Sequence, residues 1–310
     1  MSCVFGPVPS RRLGLSLGVD LIPPKTCTFD CLYCQVGRTT SKTIEPRSFV
    51  PVHEVVEEIG KKLLKTGPDA ITLAGSGEPT LHAELDQVIT SVKKITDIPV
   101  VLLTNGSIFW KEEVRQRALN ADIIMPTLSS ACEPTFRKIH RPHPGIDLSN
   151  IIEGLKCLRQ DYEGQLFLEV VLLAGINDTE KELGGLKTVV DDINPEKIQL
   201  NTVVRPPADK RAMSVDRKRL EDIKMSFGEK AEIVAEIPVE GMGKKSDSLA
   251  CELLDMIKRR PLKPIDISNV LDLSLADVED LVKGLLIKGY IRKQEHLGET
   301  YYLRHEENDL

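Results

Sequence analysis

Residues 70–81, AITLAGSGEPTL, change character twice. AITLAG is a short apolar run ending in glycine, the pattern of a strand buried on both faces. Gly75-Ser76-Gly77-Glu78-Pro79 follows as a turn. Beyond it Leu81, Leu85, Val88, Ile89 and Val92 recur at helical spacing. Strand, glycine loop and helix in that order make one unit of an α/β fold, and the same unit repeats in both directions. Upstream, SLGVDLI (16–22) reads as a strand and 52–64 as a helix bearing Val52, Val55, Val56, Ile59 and Leu63 on one face. Downstream, strands fall at 99–106, 122–128, 165–173 and 197–204, with helices near 110–119, 148–158 and 178–192. Six such steps without a dinucleotide fingerprint favour a partial (βα)6 TIM-like barrel over a Rossmann domain. Chemistry in such barrels belongs on the loops after the strand C-termini.

One more helix and strand are expected within 214–237. EGMGKKSDS (240–248) then reads as a linker. Helices at 249–259, 265–271 and 274–288 and a hairpin from Tyr290 follow, the order of a winged helix-turn-helix. The sequence therefore predicts two domains, a barrel over 1–247 and a small winged-helix-like domain over 248–310.

The 310 residues carry a net charge of −6, a poor basis for non-specific nucleic-acid binding. Residues 249–310 hold nine basic and twelve acidic side chains, and Asp277, Glu279 and Asp280 stand on the expected recognition helix. That argues against DNA and for a protein-contact or substrate-delivery role. No stretch has the length of a membrane span, and MSCVFGPVPSRR has no signal-peptide core, so a cytoplasmic protein is expected.

Three of the seven cysteines cluster as Cys27-x3-Cys31-x2-Cys34 within TCTFDCLYCQVG. Three local thiolates can hold a [4Fe–4S] cubane and leave one iron open for a small chelating molecule. The competing reading is zinc, with His53 or His82 as a distant fourth ligand. Cys132, Cys157 and Cys251 are isolated and read as small buried residues.

With Tyr33 before the last cysteine, this motif resembles the signature of the radical S-adenosylmethionine (SAM) superfamily. The resemblance extends over residues 6–247, through GPVPSRRLGLSLGVDL, GSGEPTL, LLTNGS, FRKIHRPHPG, GINDTEKE and LNTVVRPP. It is nearest to the group of iron–sulfur oxidoreductases that includes wyosine-base synthases. The resemblance implies a [4Fe–4S] cluster and SAM as cofactors, with reductive cleavage to a 5′-deoxyadenosyl radical that abstracts a substrate hydrogen. It implies cofactor contacts at Tyr33, at Gly75, Gly77, Glu78 and Pro79, and at Thr104 and Asn105. Ser129 stands where relatives often have Asp, and can still bond a ribose hydroxyl. Asn177 either contacts the cofactor or caps the helix that follows it.

Wyosine synthesis itself fits poorly, because upstream of Cys27 there is only Cys3 from which to build a second cluster. Basic residues expected at the barrel mouth are Arg11, Arg12, Arg38, Arg137, Lys138, Arg141 and Arg205. Among them Arg12, Arg141 and Arg205 are the candidate ligands of an anionic substrate, whether a small molecule or a peptide. An external electron donor such as flavodoxin or ferredoxin is expected. The alternative from another class is an iron–sulfur redox-sensing regulator acting through the winged helix.

Overall fold

The computed structural model describes residues 2–234 and 249–305. The chain starts with an antiparallel pair, β1 (Val4–Ser10) and β2 (Gly14–Val19). Two-residue strands β3 (Thr26–Cys27) and β4 (Ser41–Lys42) close the loop that carries the three cysteines. Then come α1 (Val52–Leu63), β5 (Ala70–Leu73), a 3₁₀ turn at Pro79–Leu81, α2 (Leu85–Lys93), β6 (Val100–Thr104) and α3 (Glu112–Ala118). They are followed by β7 (Ile123–Pro126), α4 (Glu133–His140), α5 (Leu148–Asp161), β8 (Gln165–Leu172), α6 (Glu180–Ile193) and β9 (Lys197–Thr202). After α7 (Arg217–Phe227) and β10 (Ala231–Ile233), the C-terminal part holds α8 (Leu249–Ile257), α9 (Pro264–Leu271), α10 (Leu275–Ile287), β11 (Ile291–His296) and β12 (Glu299–Arg304).

The main sheet runs β1-β2-β5-β6-β7-β8-β9-β10, parallel throughout except for β1. Each of the six predicted strands is present, as β2 and β5 to β9. Every residue of β5 is buried, as expected for a strand covered by helices on one face and barrel interior on the other. The helices pack Leu85, Val88, Ile89 and Val92 of α2, and Leu148, Ile151, Leu155 and Leu158 of α5, against that sheet. Among the described residues the sheet does not close, and β1 and β10 are its two edges.

β1 and α4 were not legible, nor were the two-residue strands β3 and β4. β1 contains Pro7 and Pro9, which cannot donate ladder hydrogen bonds, and such a strand is tolerated only at an edge. α4, with three residues buried from its eight, lies in the FRKIH stretch, where charge masks a single apolar stripe. The predicted linker 240–248 lies outside the described residues. The C-terminal part has the predicted order of three helices and a hairpin, but its core is not its own. Val8 of β1 is buried in one cluster with Leu253, Ile257, Leu262, Ile267 and Tyr302. Among the described residues no helix is long and apolar enough to cross a membrane.

Candidate active site

The loop after β2 is held from several sides. The Lys25 amide donates to the Ser76 carbonyl (2.8 Å) and the Glu78 amide to that of Thr26 (3.2 Å), which joins the loop to the glycine turn after β5. Asp30 and Leu32 donate to His140 and Ile139 at the end of α4, and Ala208 donates to Cys34. Phe29 is buried against Phe136 and His140, with ring centroids at 5.6 and 5.0 Å. Such bonding fixes a backbone that has almost no regular structure of its own.

Cys27, Cys31 and Cys34 are each partly exposed on this loop. Burial, with Glu78 adding repulsion, pushes the Cys27 thiol up to about 12. Burial also raises Cys31, helped by the nearby Cys27 and Cys34, and it raises Cys34 as well. Three adjacent thiols in so unfavourable a setting for bare thiolates suit metal coordination, which removes the proton outright. Among the described residues no group is arranged around a single metal ion. A cubane makes no such demand, because each thiolate binds a different iron. The zinc reading fares worse. His82 is buried, with Nε2 3.1 Å from the Val50 carbonyl and Nδ1 accepting from the Glu84 amide (3.2 Å), while His53 is exposed on α1. The donor set therefore fits an iron–sulfur cluster.

Glu78 organises the surroundings. Its carboxylate accepts from the Thr80 amide and hydroxyl, the Thr104 hydroxyl (2.5 Å) and the Asn105 amide (2.7 Å). It thereby locks the loop after β6 to the turn after β5. Asn105 in turn donates to Thr28 Oγ1 (2.8 Å) and to Cys27 Sγ (3.5 Å). Glu78 thus serves as a buried positioning group, and Asn105 reaches the first cysteine.

Ser129 and Asn177 are both buried and committed to backbone. Ser129 Oγ accepts from the Val171 amide. Asn177 accepts from the Leu173 amide and donates to the carbonyls of Ser129 and Val171. Asn177 does not cap α6; Thr179 does, accepting from the Glu182 amide. The sequence left that choice open because GINDTE offers several residues of capping chemistry in a row.

A cavity of about 370 Å³ is lined by strand residues such as Thr72, Glu169 and Asn201 and by loops beyond them. Tyr33, Cys34 and Gly75 line one part; Arg11, Arg12, Arg205, Arg259 and Arg260 line another. Of the three predicted substrate arginines, Arg12 and Arg205 are on this wall. Arg141 is not: it pairs with Asp209 and with Asp30 (3.5 Å), fastening the end of α4 to the cysteine loop. Arg137 pairs with Glu133 and Asp147, and Arg38 lies beside Asp30, so neither belongs to the cavity. Charge and position along the sequence could not separate these arginines, because their partners lie far off in the chain.

Several residues were missed. Glu169 points into the cavity and accepts from Arg12 (2.7 Å), Asn201 (3.0 Å) and Thr127 (2.9 Å). A lone carboxylate within LFLEVVLL was the available signal. His140 Nδ1 lies 3.3 Å from Cys31 Sγ and 3.5 Å from the Tyr33 hydroxyl. Burial holds His140 neutral, pulled down to about 3.

The Arg12–Glu169 pair sets a pH dependence. Burial alone would push Glu169 up, but the Arg12 guanidinium, with Thr127 and Asn201, outweighs it and holds the carboxyl below its ordinary range. The pair therefore stabilises the native protein above the usual carboxylate pKa, and that contribution fades as pH falls through the depressed value. In Arg12→Met the largest opposing charge is gone and only the weaker pull of Arg11 remains, so burial should raise Glu169 and stability should fall as pH rises from about 4 to 7. The loss at neutral pH should be about 3–5 kcal/mol. Urea denaturation at several pH values checks both; parallel pH profiles for the two proteins would refute the pairing.

Comparison with known proteins follows the same lines. A family model described as the radical SAM superfamily matches residues 21–184. A UPF0026 protein of Methanocaldococcus jannaschii is 34% identical over 314 residues, covering 98% of this chain and 96% of its own length. A protein of Brachyspira hyodysenteriae named GTPase Obg is 35% identical over 299 residues, 94% of this chain; the chain spans only 43% of that relative. The structure of TYW1 with a lysine-pyruvate adduct bound superposes with a TM-score of 0.54 at 15% identity, over 73% of this chain and 76% of that one. At that identity the likeness concerns the fold, the partial barrel.

Proposed function

The chain belongs to the radical SAM superfamily, whose members bind a [4Fe–4S] cluster and SAM, and from that premise we propose that it cleaves SAM to modify an anionic substrate. When bound, these groups supply a one-electron reductive cleavage to methionine and a 5′-deoxyadenosyl radical, which takes a hydrogen atom from the substrate. The residues of the chain do the rest. Cys27, Cys31 and Cys34 would hold the cluster on a loop whose backbone is fastened to α4 and to the turn after β5. Glu78 and Asn105 keep the two neighbouring loops in register with Cys27. The electron comes from outside the chain, from a donor of the flavodoxin or ferredoxin kind.

The observation that carries this reading is the shared cavity: Tyr33 and Cys34 border the same space as Arg12 and Arg205. Substrate held by guanidinium groups would lie within the chamber that the cysteine loop faces, and enclosure by the barrel strands would keep a reactive species from water.

The test is anaerobic. Protein reconstituted with iron and sulfide, then given SAM and dithionite, should form 5′-deoxyadenosine. A reconstituted protein that binds SAM, accepts electrons and still yields none with any anionic substrate would defeat the reading.

A further inference from the structure

The C-terminal part sits across the open side of the barrel. On one flank it shares its core with Val8 of the edge strand β1. Phe5, also on β1, lies over Gly18, where a Cβ would come within 2.1 Å of the ring. The Arg259 guanidinium stacks on Phe5 at 4.3 Å, donates to the Ser2 carbonyl (3.1 Å) and lies 3.5 Å from Asp20. On the other flank the stretch after β9 is gripped. Tyr301 donates to the Val204 carbonyl (2.6 Å), and Arg205 donates to the Pro261 carbonyl (2.6 Å) and to Asp266 (3.2 Å). Residues 259–260, between α8 and α9, are thereby set into the cavity wall.

Arginine dominates the described charged residues of that wall. Among its described lining residues are five arginines and one carboxylate, Glu169, which Arg12 engages. Asp20 stands beside Arg259 and Asp266 beside Arg205. Among the described residues Arg260 has no carboxylate within ion-pair distance, and its one hydrogen bond runs to the Pro9 carbonyl, at 3.3 Å. Burial depresses its pKa, Arg205 and Arg11 add to that, and Asp266 opposes them. A cation kept in such company is costly unless an anion shares the site.

We propose that the C-terminal part completes the substrate cavity and that Arg260, with Arg205, binds a phosphoryl group of a small-molecule substrate there. The proposal rests on reading this cavity as the reaction chamber, and it names the class of substrate. A carboxylate carries one charge and is satisfied by a single guanidinium fork. A phosphoryl group carries nearly two charges and three acceptor oxygens, which matches several guanidinium groups lining one wall.

Calorimetric titration of the full chain with inorganic phosphate tests this, with malonate as the dicarboxylate comparison. The native protein should bind phosphate more tightly than malonate. R260Q should weaken phosphate binding about ten-fold or more, and R260K, which keeps the charge but not the fork, by less. K181Q, on exposed α6, should bind phosphate as the native protein does. Absent phosphate binding in the native protein, undiminished binding in a folded R260Q, an equal loss in K181Q, or tighter binding of malonate would each overturn the proposal. Should R260Q fail to fold, R260K and the phosphate–malonate comparison still decide. The outcomes separate from those of the 5′-deoxyadenosine assay. A protein that forms 5′-deoxyadenosine without binding phosphate refutes this inference alone, and one that binds phosphate and SAM, accepts electrons and still forms none with any anionic substrate refutes the enzyme reading.

Discussion

Replacing Cys31 with alanine should leave a folded protein that, after anaerobic reconstitution, lacks the broad absorbance at about 400 nm and forms no 5′-deoxyadenosine. Folding should survive because Cys31 is only partly buried and its sulfur makes only weak polar contacts, to His140 Nδ1 at 3.3 Å and to the Tyr33 hydroxyl. The loop around it is held by backbone bonds from Asp30 and Leu32 to the end of α4, and these do not involve the side chain. The cluster should not survive, because three cysteines are the whole local ligand set and two thiolates cannot hold a cubane with one open iron. Cys157→Ala is the matched control. Cys157 lies on α5, its sulfur 3.8 Å from Glu153, remote from the loop in its contacts, and its loss should change neither reading. Iron and sulfide content per chain gives an independent measure. Native iron content in Cys31→Ala would show that the ligand assignment is wrong.

Gly77→Ala should be nearly as damaging, by another route. A Cβ on Gly77 would lie 2.1 Å from the Thr26 carbonyl oxygen and 2.6 Å from Ile22 Cγ2. Both belong to the segment leading to Cys27, and the Thr26 carbonyl also accepts from the Glu78 amide at 3.2 Å. The oxygen cannot retreat without breaking that bond, so the two loops must separate. Overpacking of this kind costs about 1–3 kcal/mol, and the lost hydrogen bond adds about 1 kcal/mol. Separation would also displace Glu78 from Thr104 and Asn105, and with them the donor to Cys27. The variant should show a lower urea midpoint together with sub-stoichiometric iron. Gly184→Ala, in α6 with no atom near the added Cβ, should be stabilising by about 0.5–1 kcal/mol. A Gly77→Ala protein with native stability and full iron would refute the close-approach role of this glycine. At Gly77 the close approach is made by the segment leading to the cysteine loop.

Much of this protein is determined locally. Apolar runs separated by helical stripes specify six strand–helix units, since each element's burial pattern repeats within its own few residues. Parallel connection through helices then sends every loop after a strand to one face, so Cys27, Glu78, Asn105 and Arg205 are brought to the same end of the sheet. The three cysteines are close in space because they are close in sequence. Other features depend on contacts between distant parts of the chain. Arg12 and Arg205 face the cavity while Arg141 does not, and Glu169 meets Arg12 across 157 positions. Glu78 and Asn177 hold loops together because burial leaves their polar atoms no water and so demands protein partners. Arg259 and Arg260 enter the site because the C-terminal part shares a core with β1 and fastens to the stretch after β9. Periodicity reports which face of an element is apolar, whereas only the packed tertiary structure decides which distant charge lies opposite it.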